Sequence, residues 1–184
     1  MVYSLEDLCN HYRKGKTYHF LFFWGHTPAK DGSITKSCLS QWWMQDFTVD
    51  EITYTCAEQY MMAEKARLFQ DDVMLEKIIL AKQPKEMKAY GRQVKNFDAK
   101  VWEDACYTLV LKGNLAKFGQ NEALLGFLLT TQNRILVEAS PYDQIWGIGM
   151  RETDPNAGNP LKWQGKNLLG FALTEARDML SHAQ

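Results

Sequence analysis

Apolar residues in this chain recur mostly at intervals of three and four, and a few short continuous apolar runs lie between these stretches. Intervals of three and four are typical of helices with one buried face. A run of four to eight apolar residues is too brief for a core helix and predicts a strand. We expect three strands, over residues 19–24, 49–54 and 134–139.

Helices are predicted where a capping side chain or a proline precedes a helical pattern. They follow Ser4, cover 55–69, run from Asp71 or Asp72 to Lys82, start at Pro84, run from Asp98 to Phe118, and cover 121–130 and 167–181. The helix after Asp98 carries apolar residues on two neighbouring sides, so we expect it to be largely buried. The pattern predicts a helix-rich α+β fold with about six helices and a small β element.

Composition limits the size of the core and the kinds of partner. A chain of 184 residues that is 46% hydrophobic is long enough for one core and short for two, so we expect a single domain over residues 1–184. The 21 basic and 22 acidic side chains give a formal net charge of -1. This balance implies no general attraction to nucleic acid or to an acidic membrane, so any contact with nucleic acid would be local.

Neither a metal site nor a cofactor motif is indicated. The four cysteines form no Cys-x-x-Cys pair and the four histidines have no i, i+4 spacing, so we expect reduced thiols and no metal. WGIGM at 146–150 lacks the third glycine of a dinucleotide motif and the Lys-Ser or Lys-Thr of a P-loop, so no cofactor is expected. Without a signal-peptide pattern or a run of transmembrane length, we expect a soluble, cytoplasmic protein with no membrane contact.

The second predicted helix places an acid and an amine on one face. Glu58 and Lys65 are seven residues apart, and seven steps of about 100° return almost to the starting direction, about 10 Å further along the axis. Met62 and Ala66 share this face and indicate that it is partly buried, where a lysine is costly unless it is used or paired. Two simpler interpretations stay open: Glu58 closes a capping box with Thr55, or Lys65 is an ordinary solvated lysine.

Five blocks of the sequence carry a family resemblance. They are SCLSQWW at 37–43, CAEQYMMAEKARLF at 56–69, YGR at 90–92 followed by Trp102, LVEASPYDQIWGIG at 136–149, and GKNLLGFAL at 165–173. In this order they resemble the NADAR superfamily of YbiA-like N-glycosidases, whose signature helix has a Glu near its start and a Lys one heptad later. The resemblance covers about residues 20–180 and implies that family's fold and chemistry.

That chemistry is hydrolysis of the C1′–N bond of a ribosylated heterocycle. Such a reaction passes through an oxocarbenium-like centre, which a nearby carboxylate stabilises. The resemblance implies that Glu58 stabilises this charge, orients water or moves a proton, and that Lys65 attacks the anomeric carbon and holds the opened sugar as an imine. It makes Asp143 a second carboxylate that orients the ribose or the base, although an Asp after Pro141 is by itself more typical of a turn.

The resemblance also implies substrate contacts, each with an ordinary structural alternative. Tryptophans would stack on the heterocycle, an arginine would bind a phosphate, and a glycine would let the backbone approach the ligand. The alternatives are core packing, a surface charge and a cap of the last helix. The residues predicted to bind substrate are Trp24, Trp42, Arg92, Trp102, Trp146, Gly147 and Asn167.

Two residues depart from the family's pattern. Met44 follows the aromatic pair where the family often has a proline, and Gln59 follows the signature glutamate where many members have a histidine. Because glutamine does not titrate, a proton relay at this point must use Glu58, Lys65 or Asp143.

Two substrate classes follow from the resemblance, and the sequence does not choose between them. They are phosphorylated ribosylaminopyrimidine intermediates of riboflavin synthesis and ADP-ribose attached to guanine. The partner is then a small ribosylated or ADP-ribosylated molecule, or a modified nucleic acid. The competing hypothesis is a non-catalytic module that binds ADP-ribose or a related nucleotide through Trp146 and Arg92. Retention of both Glu58 and Lys65 argues against it, because binding alone needs no amine beside the anomeric carbon.

Overall fold

The computed structural model describes residues 2–182, which form seven α-helices and four short strands. In chain order they are α1 (Leu5–Arg13), β1 (Phe20–Phe23), β2 (Met44–Val49), β3 (Ile52–Cys56), α2 (Ala57–Leu68), α3 (Asp72–Leu80), α4 (Pro84–Gly91), α5 (Ala99–Gly119), α6 (Glu122–Thr130), β4 (Ile135–Glu138) and α7 (Leu168–His182), with 3₁₀ turns at Lys36–Leu39 and Pro160–Lys162. The predicted helix-rich α+β class is confirmed. No helix within 2–182 is long and apolar enough to cross a membrane.

The chain divides into two compact units, residues 2–40 with 123–182, and residues 41–122. The first unit contains a parallel pair of strands, in which β1 lies beside β4 with Phe20 opposite Ile135. α7 packs against β4, and the N–H of Leu136 donates to the hydroxyl of Thr174 at 3.1 Å. A helix and a parallel strand pair therefore form the centre of this unit.

Three of the predicted helix starts are confirmed by their caps. Ser4 accepts the N–H of Asp7 at 3.1 Å, and Asp98 accepts the N–H of Val101 at 2.9 Å. Of the two residues proposed for α3, Asp71 is the cap. These contacts satisfy N–H groups that the helix itself leaves without an acceptor.

The prediction of one strand over 49–54 is wrong, because the chain reverses there. Asp50 and Glu51 have φ angles of 49° and 66°, the left-handed region that a two-residue hairpin turn requires. β2 and β3 pair antiparallel on either side of them. Asp50 is of a type common at the first position of such a turn, but Glu51 stands where a glycine usually follows, so the pattern suggests a continuous strand.

The expectation that α5 is largely buried is also wrong. Of its 21 residues, the buried ones lie on a single face: Cys106, Val110, Gly113, Asn114, Lys117 and Phe118. The apolar residues on the neighbouring side are partly or fully exposed, and Val101 is 44% exposed.

The second unit is built around α2, which contacts β3, α3, α4 and α5. Eight of its 12 residues are buried, Met62 and Ala66 among them. Glycines of two neighbours allow this enclosure. A Cβ atom at Gly91 would lie 2.0 Å from the sulfur of Met62, and one at Gly113 would lie 2.4 Å from the ring of Tyr60. The backbones of α4 and α5 therefore run directly against α2.

Replacing Gly113 with alanine is expected to destabilise the protein by about 1–3 kcal/mol, because the new methyl group would overlap a buried ring. The matched control is Gly126→Ala in α6, where an added Cβ meets nothing within 4 Å. There the loss of backbone freedom in the unfolded chain should stabilise by about 0.5–1 kcal/mol. Urea unfolding measures both. A Gly113→Ala protein as stable as the parent would contradict the close approach of α5 to Tyr60.

Candidate active site

Glu58 lies in the first turn of α2 and is only 3% exposed. The N-cap is Cys56, and the N–H of Glu58 donates to the carbonyl of Gln41 at 2.9 Å. The helix start is closed by a different residue, because Gln59 accepts both the N–H of Thr55 at 2.8 Å and its hydroxyl at 3.1 Å. The capping-box interpretation of Glu58 is therefore wrong, and its burial needs another explanation.

Gln59, which stands where many family members have a histidine, makes hydrogen bonds that stabilise the fold. Its amide Nε2 donates to the carbonyls of Ile78 and Ile79 at 3.0 Å each. The same side chain thus ties the start of α2 to the end of α3. This use needs both an acceptor and a two-proton donor, which an amide supplies.

Lys65 lies in the last turn of α2, and its amine faces two aromatic rings. The Nζ atom is 4.2 Å from the centre of the Phe97 ring and 5.8 Å from that of Trp102. Burial lowers the pKa of Lys65, and the guanidinium of Arg92 lowers it further. Both causes disfavour the charged amine. Lys65 is therefore not an ordinary solvated lysine.

Phe97 is a close neighbour of Lys65 that the sequence interpretation missed. It directly precedes the cap of α5, a position where an apolar residue ordinarily packs against its own helix. In the structure its ring packs edge-on against Phe69, with centres 5.2 Å apart, and remains 47% exposed. Trp102, for which core and pocket were both open, is half-buried with its ring toward Lys65. Two aromatic residues thus surround the amine without sealing it from solvent.

The helix face between the acid and the amine is not open along its whole length. Glu58 and Lys65 share the face as predicted, separated by about 10 Å of helix rise. Met62 lies between them and is covered by Gly91 of α4. The two groups therefore have different surroundings, a buried one for the carboxylate and a half-buried one for the amine.

The other two predicted site residues of this unit are Trp42 and Arg92. Trp42 is half-buried, with Lys88 Nζ 5.9 Å from its ring centre. It follows Gln41, the acceptor for the N–H of Glu58, so it lies beside the start of α2. Arg92 is exposed at the C-cap of α4. Its guanidinium is therefore accessible to a phosphate in solution.

In the first unit, Asp143 organises its own loop. Its carboxylate oxygen Oδ1 accepts the N–H groups of Ile145 at 2.9 Å and Trp146 at 2.7 Å, and its carbonyl accepts the N–H of Gly149 at 3.0 Å. These contacts support the turn interpretation of Asp143. They also fix the backbone that carries the half-buried Trp146.

Gly147 and Asn167 are held by main-chain contacts within this unit. A Cβ at Gly147 would lie 2.8 Å from the carbonyl oxygen of Glu138, so the close approach here is to β4. The fully buried amide of Asn167 accepts the N–H of Glu138 at 2.9 Å and donates to the carbonyl of Leu136 at 3.0 Å. Asn167 thus joins the end of β4 to the start of α7.

Trp24 follows β1 and is 49% exposed. The guanidinium carbon of Arg151 is 5.9 Å from its ring centre. A cleft of about 230 Å³ lies here, lined by Trp24, Lys36, Ala139, Arg151, Glu152 and Thr153. Within residues 2–182, no three His, Cys, Asp or Glu side chains are grouped so that they could hold a metal ion.

Comparison with known proteins identifies the family. The NADAR domain model matches residues 22–181. N-glycosidase R617 of Acanthamoeba polyphaga mimivirus is 38% identical over 168 residues, 89% of this chain and 97% of that protein. N-glycosidase YbiA of Escherichia coli (strain K12) is 32% identical over 133 residues, 72% of this chain and 74% of that protein. The chain belongs to the NADAR family.

Two further comparisons bear on the fold and the substrate. The NMR structure of the E. coli protein YbiA matches with a TM-score of 0.71 at 27% identity, over 91% of this chain and 88% of that one. Riboflavin biosynthesis protein PYRR, chloroplastic, of Zea mays is 33% identical over 141 residues, 73% of this chain but 21% of that protein. Together the relatives confirm the predicted enzyme class: the chain is an N-glycosidase.

Replacing Arg92 with glutamine is expected to raise the pKa of Lys65, because the like charge that opposes its protonation is removed. At a fixed pH below that pKa, a smaller fraction of the amine is then neutral. The pH dependence of acetylation at Lys65, followed by peptide mass spectrometry, should therefore move to higher pH. Lys95→Gln, an exposed charge three residues further on, is the control and should leave it in place. An unmoved Arg92→Gln profile would contradict this electrostatic coupling.

Proposed function

We propose that this N-glycosidase cuts the C1′–N bond of a ribosylated heterocycle, with Lys65 as the nucleophile and Glu58 as the carboxylate that stabilises developing positive charge. The observation that carries the proposal is the setting of Lys65, whose pKa is lowered by burial and by Arg92. Only the neutral amine attacks carbon, so a lowered pKa increases the reactive fraction near neutral pH.

The proposed reaction is a displacement followed by hydrolysis of an imine. The nitrogen of Lys65 forms a bond to C1′ while the C1′–N bond to the base breaks, and the base leaves with the electron pair and takes a proton. The ribose ring then opens at O4′, which takes a proton, and the C1′–Nζ bond becomes an imine. Water adds to the imine and releases the sugar and the amine of Lys65.

The burial of Glu58 supports its proposed role. A carboxylate that is 3% exposed acts in a medium of low dielectric, where its attraction for an oxocarbenium-like centre is stronger than in water. Its place in the first turn of α2 also favours the ionised form, because the N-terminal end of a helix is positive.

Aromatic and basic side chains supply the proposed substrate contacts in the second unit. Phe97 and Trp102 flank the amine and offer apolar faces to the sugar or the base. Arg92 is exposed and offers a planar donor for a phosphate. Trp42, beside the start of α2, is proposed to stack on the heterocycle.

In the first unit, the proposed contacts are the exposed ring of Trp24 and the half-buried ring of Trp146. Asp143 is proposed to orient the ribose or the base from the loop that its own hydrogen bonds hold. Gly147 and Asn167 are proposed to shape that loop, since both make close main-chain contacts.

The first substrate class we propose is a phosphorylated ribosylaminopyrimidine. The name of the maize relative refers to riboflavin biosynthesis, and Arg92 suits a single phosphate. ADP-ribosylated guanine is the second candidate, and the cleft beside Trp24 favours it. A dinucleotide carries a second base and a diphosphate, which an exposed indole next to Arg151 could bind. For the location of the protein, we propose the cytoplasm, in line with its four free cysteines.

Mass-spectrometric product analysis tests the proposed function. The protein is incubated with a ribosylaminopyrimidine phosphate and, separately, with ADP-ribosylated guanosine, beside a Lys65→Met variant. We expect free base from at least one substrate and none with the variant, and the substrate cut faster identifies the class. Glu64→Gln, a change on the same helix at a residue bound to Arg67, should keep the parent activity. Binding of ADP-ribose without release of base from either substrate would support the binding module instead.

A further inference from the structure

Lys117 is a lysine in α5 with no solvent exposure. An ammonium group withdrawn from water costs several kcal/mol unless negative charge or hydrogen bonds compensate it. Its Nζ lies 5.0 Å from the ring centre of Phe118, and a ring face alone compensates only part of that cost. A fully buried lysine is therefore stabilised best by a carboxylate or by hydrogen bonds close to it.

The face of α5 that carries Lys117 points at the first turn of α2. One turn earlier on that face, Asn114 donates from its amide nitrogen to Gln41 Oε1 at 3.1 Å. The carbonyl of the same Gln41 accepts the N–H of Glu58 at 2.9 Å. Residues three apart on a helix lie on one side of it, so Lys117 shares the side of Asn114. Lys117 and Glu58 thus belong to one buried polar cluster with Gln41 and Asn114.

The pKa of the Cys56 thiol, at the N-cap of α2, depends on the charges of both Glu58 and Lys117. Burial is the main cause that raises the pKa of Cys56 to about 11, Glu58 raises it as well, and Lys117 lowers it. A negative and a positive charge therefore act on one buried atom. Near the start of α2, the neighbouring elements contribute Cys56 from β3, Lys117 from α5 and, beside Trp42, Lys88 from α4, and α3 presents the backbone carbonyls bound by Gln59.

We propose that Lys117 is a positioning residue that keeps the buried carboxylate of Glu58 ionised and fixed in place. The proposal rests on the proposed catalytic role of Glu58. Burial alone drives a carboxyl group toward its neutral form, which would not stabilise a cationic centre. Because Lys117 is fully buried, it does not reach the substrate, and the nucleophile remains Lys65.

The first test is the pH dependence of kcat/KM for Lys117→Met, which keeps most of the unbranched side chain and removes the charge. The limb of the profile that disappears in Glu58→Gln belongs to Glu58. In Lys117→Met this limb should move up by at least one pH unit, with roughly tenfold lower activity on its acidic side and recovery above it. Lys112→Met, an exposed change on the same helix at a residue paired with Asp50, should leave it unmoved. A Lys117→Met enzyme with the parent limb would overturn the proposal.

A second measurement needs neither activity nor a variant at Lys117. Glutamate labelled with ¹³C at the carboxyl carbon is followed by NMR during a pH titration of the parent protein, and Glu58→Gln assigns the resonance. We expect the Glu58 carboxylate to stay ionised down to about the ordinary glutamate pKa of 4.3 or below. Protonation near neutral pH would overturn the proposal. If neither substrate is cut, the proposed function fails, while this titration still shows whether the buried carboxylate of Glu58 is kept ionised.

Discussion

The second unit depends on the burial of α2, a helix enclosed by β3, α3, α4 and α5. Such enclosure requires neighbours that approach at backbone distance, which Gly91 and Gly113 permit. A polar side chain on an enclosed helix has few alternative positions, because the interior is close-packed. Glu58 and Lys65 are therefore held by the same packing that forms the core. The proposed reaction needs its groups fixed in this way, because fixed groups convert binding into rate.

The two ends of α2 also give these groups opposite electrostatic settings. At the first turn the helix dipole favours a carboxylate, and Lys117 adds a buried positive charge to the cluster there. At the last turn burial and the guanidinium of Arg92 lower the pKa of the Lys65 amine. The two ends of one helix thus place a buried carboxylate and an amine of lowered pKa in the different surroundings that the proposed reaction uses.

Local chemistry made much of the fold predictable from the sequence. Ser4, Asp71 and Asp98 are caps because their side chains accept hydrogen bonds from neighbouring N–H groups, a property of the residue and its near neighbours. The turn at Asp50 and Glu51 was missed because its conformation is imposed by the pairing of β2 with β3, and not by a glycine. A local sequence pattern does not indicate a backbone conformation that depends on contacts between distant parts of the fold.

In the candidate site, too, the features set by local geometry are predictable from the sequence, and those set by tertiary contacts are not. Spacing alone placed Glu58 and Lys65 on one helix face, because helix geometry fixes that relation. The sequence interpretation missed Phe97, which stands just before a helix, and Lys117, which stands within one. Both positions are ordinary in the sequence, and the importance of each residue follows only from its place next to α2. Asn167 could be matched to the family by its sequence. Its use as a clamp between β4 and α7 follows only from the hydrogen bonds.

Borohydride trapping tests the nucleophilic role of Lys65 most directly. Reduction of the imine during turnover converts it to a stable secondary amine, and peptide mass spectrometry locates the added sugar. The account predicts an adduct on Lys65 that requires both substrate and borohydride and is absent from Lys65→Met. An enzyme that turns over its substrate under the same conditions without an adduct at Lys65, or with the adduct on a different lysine, would contradict it.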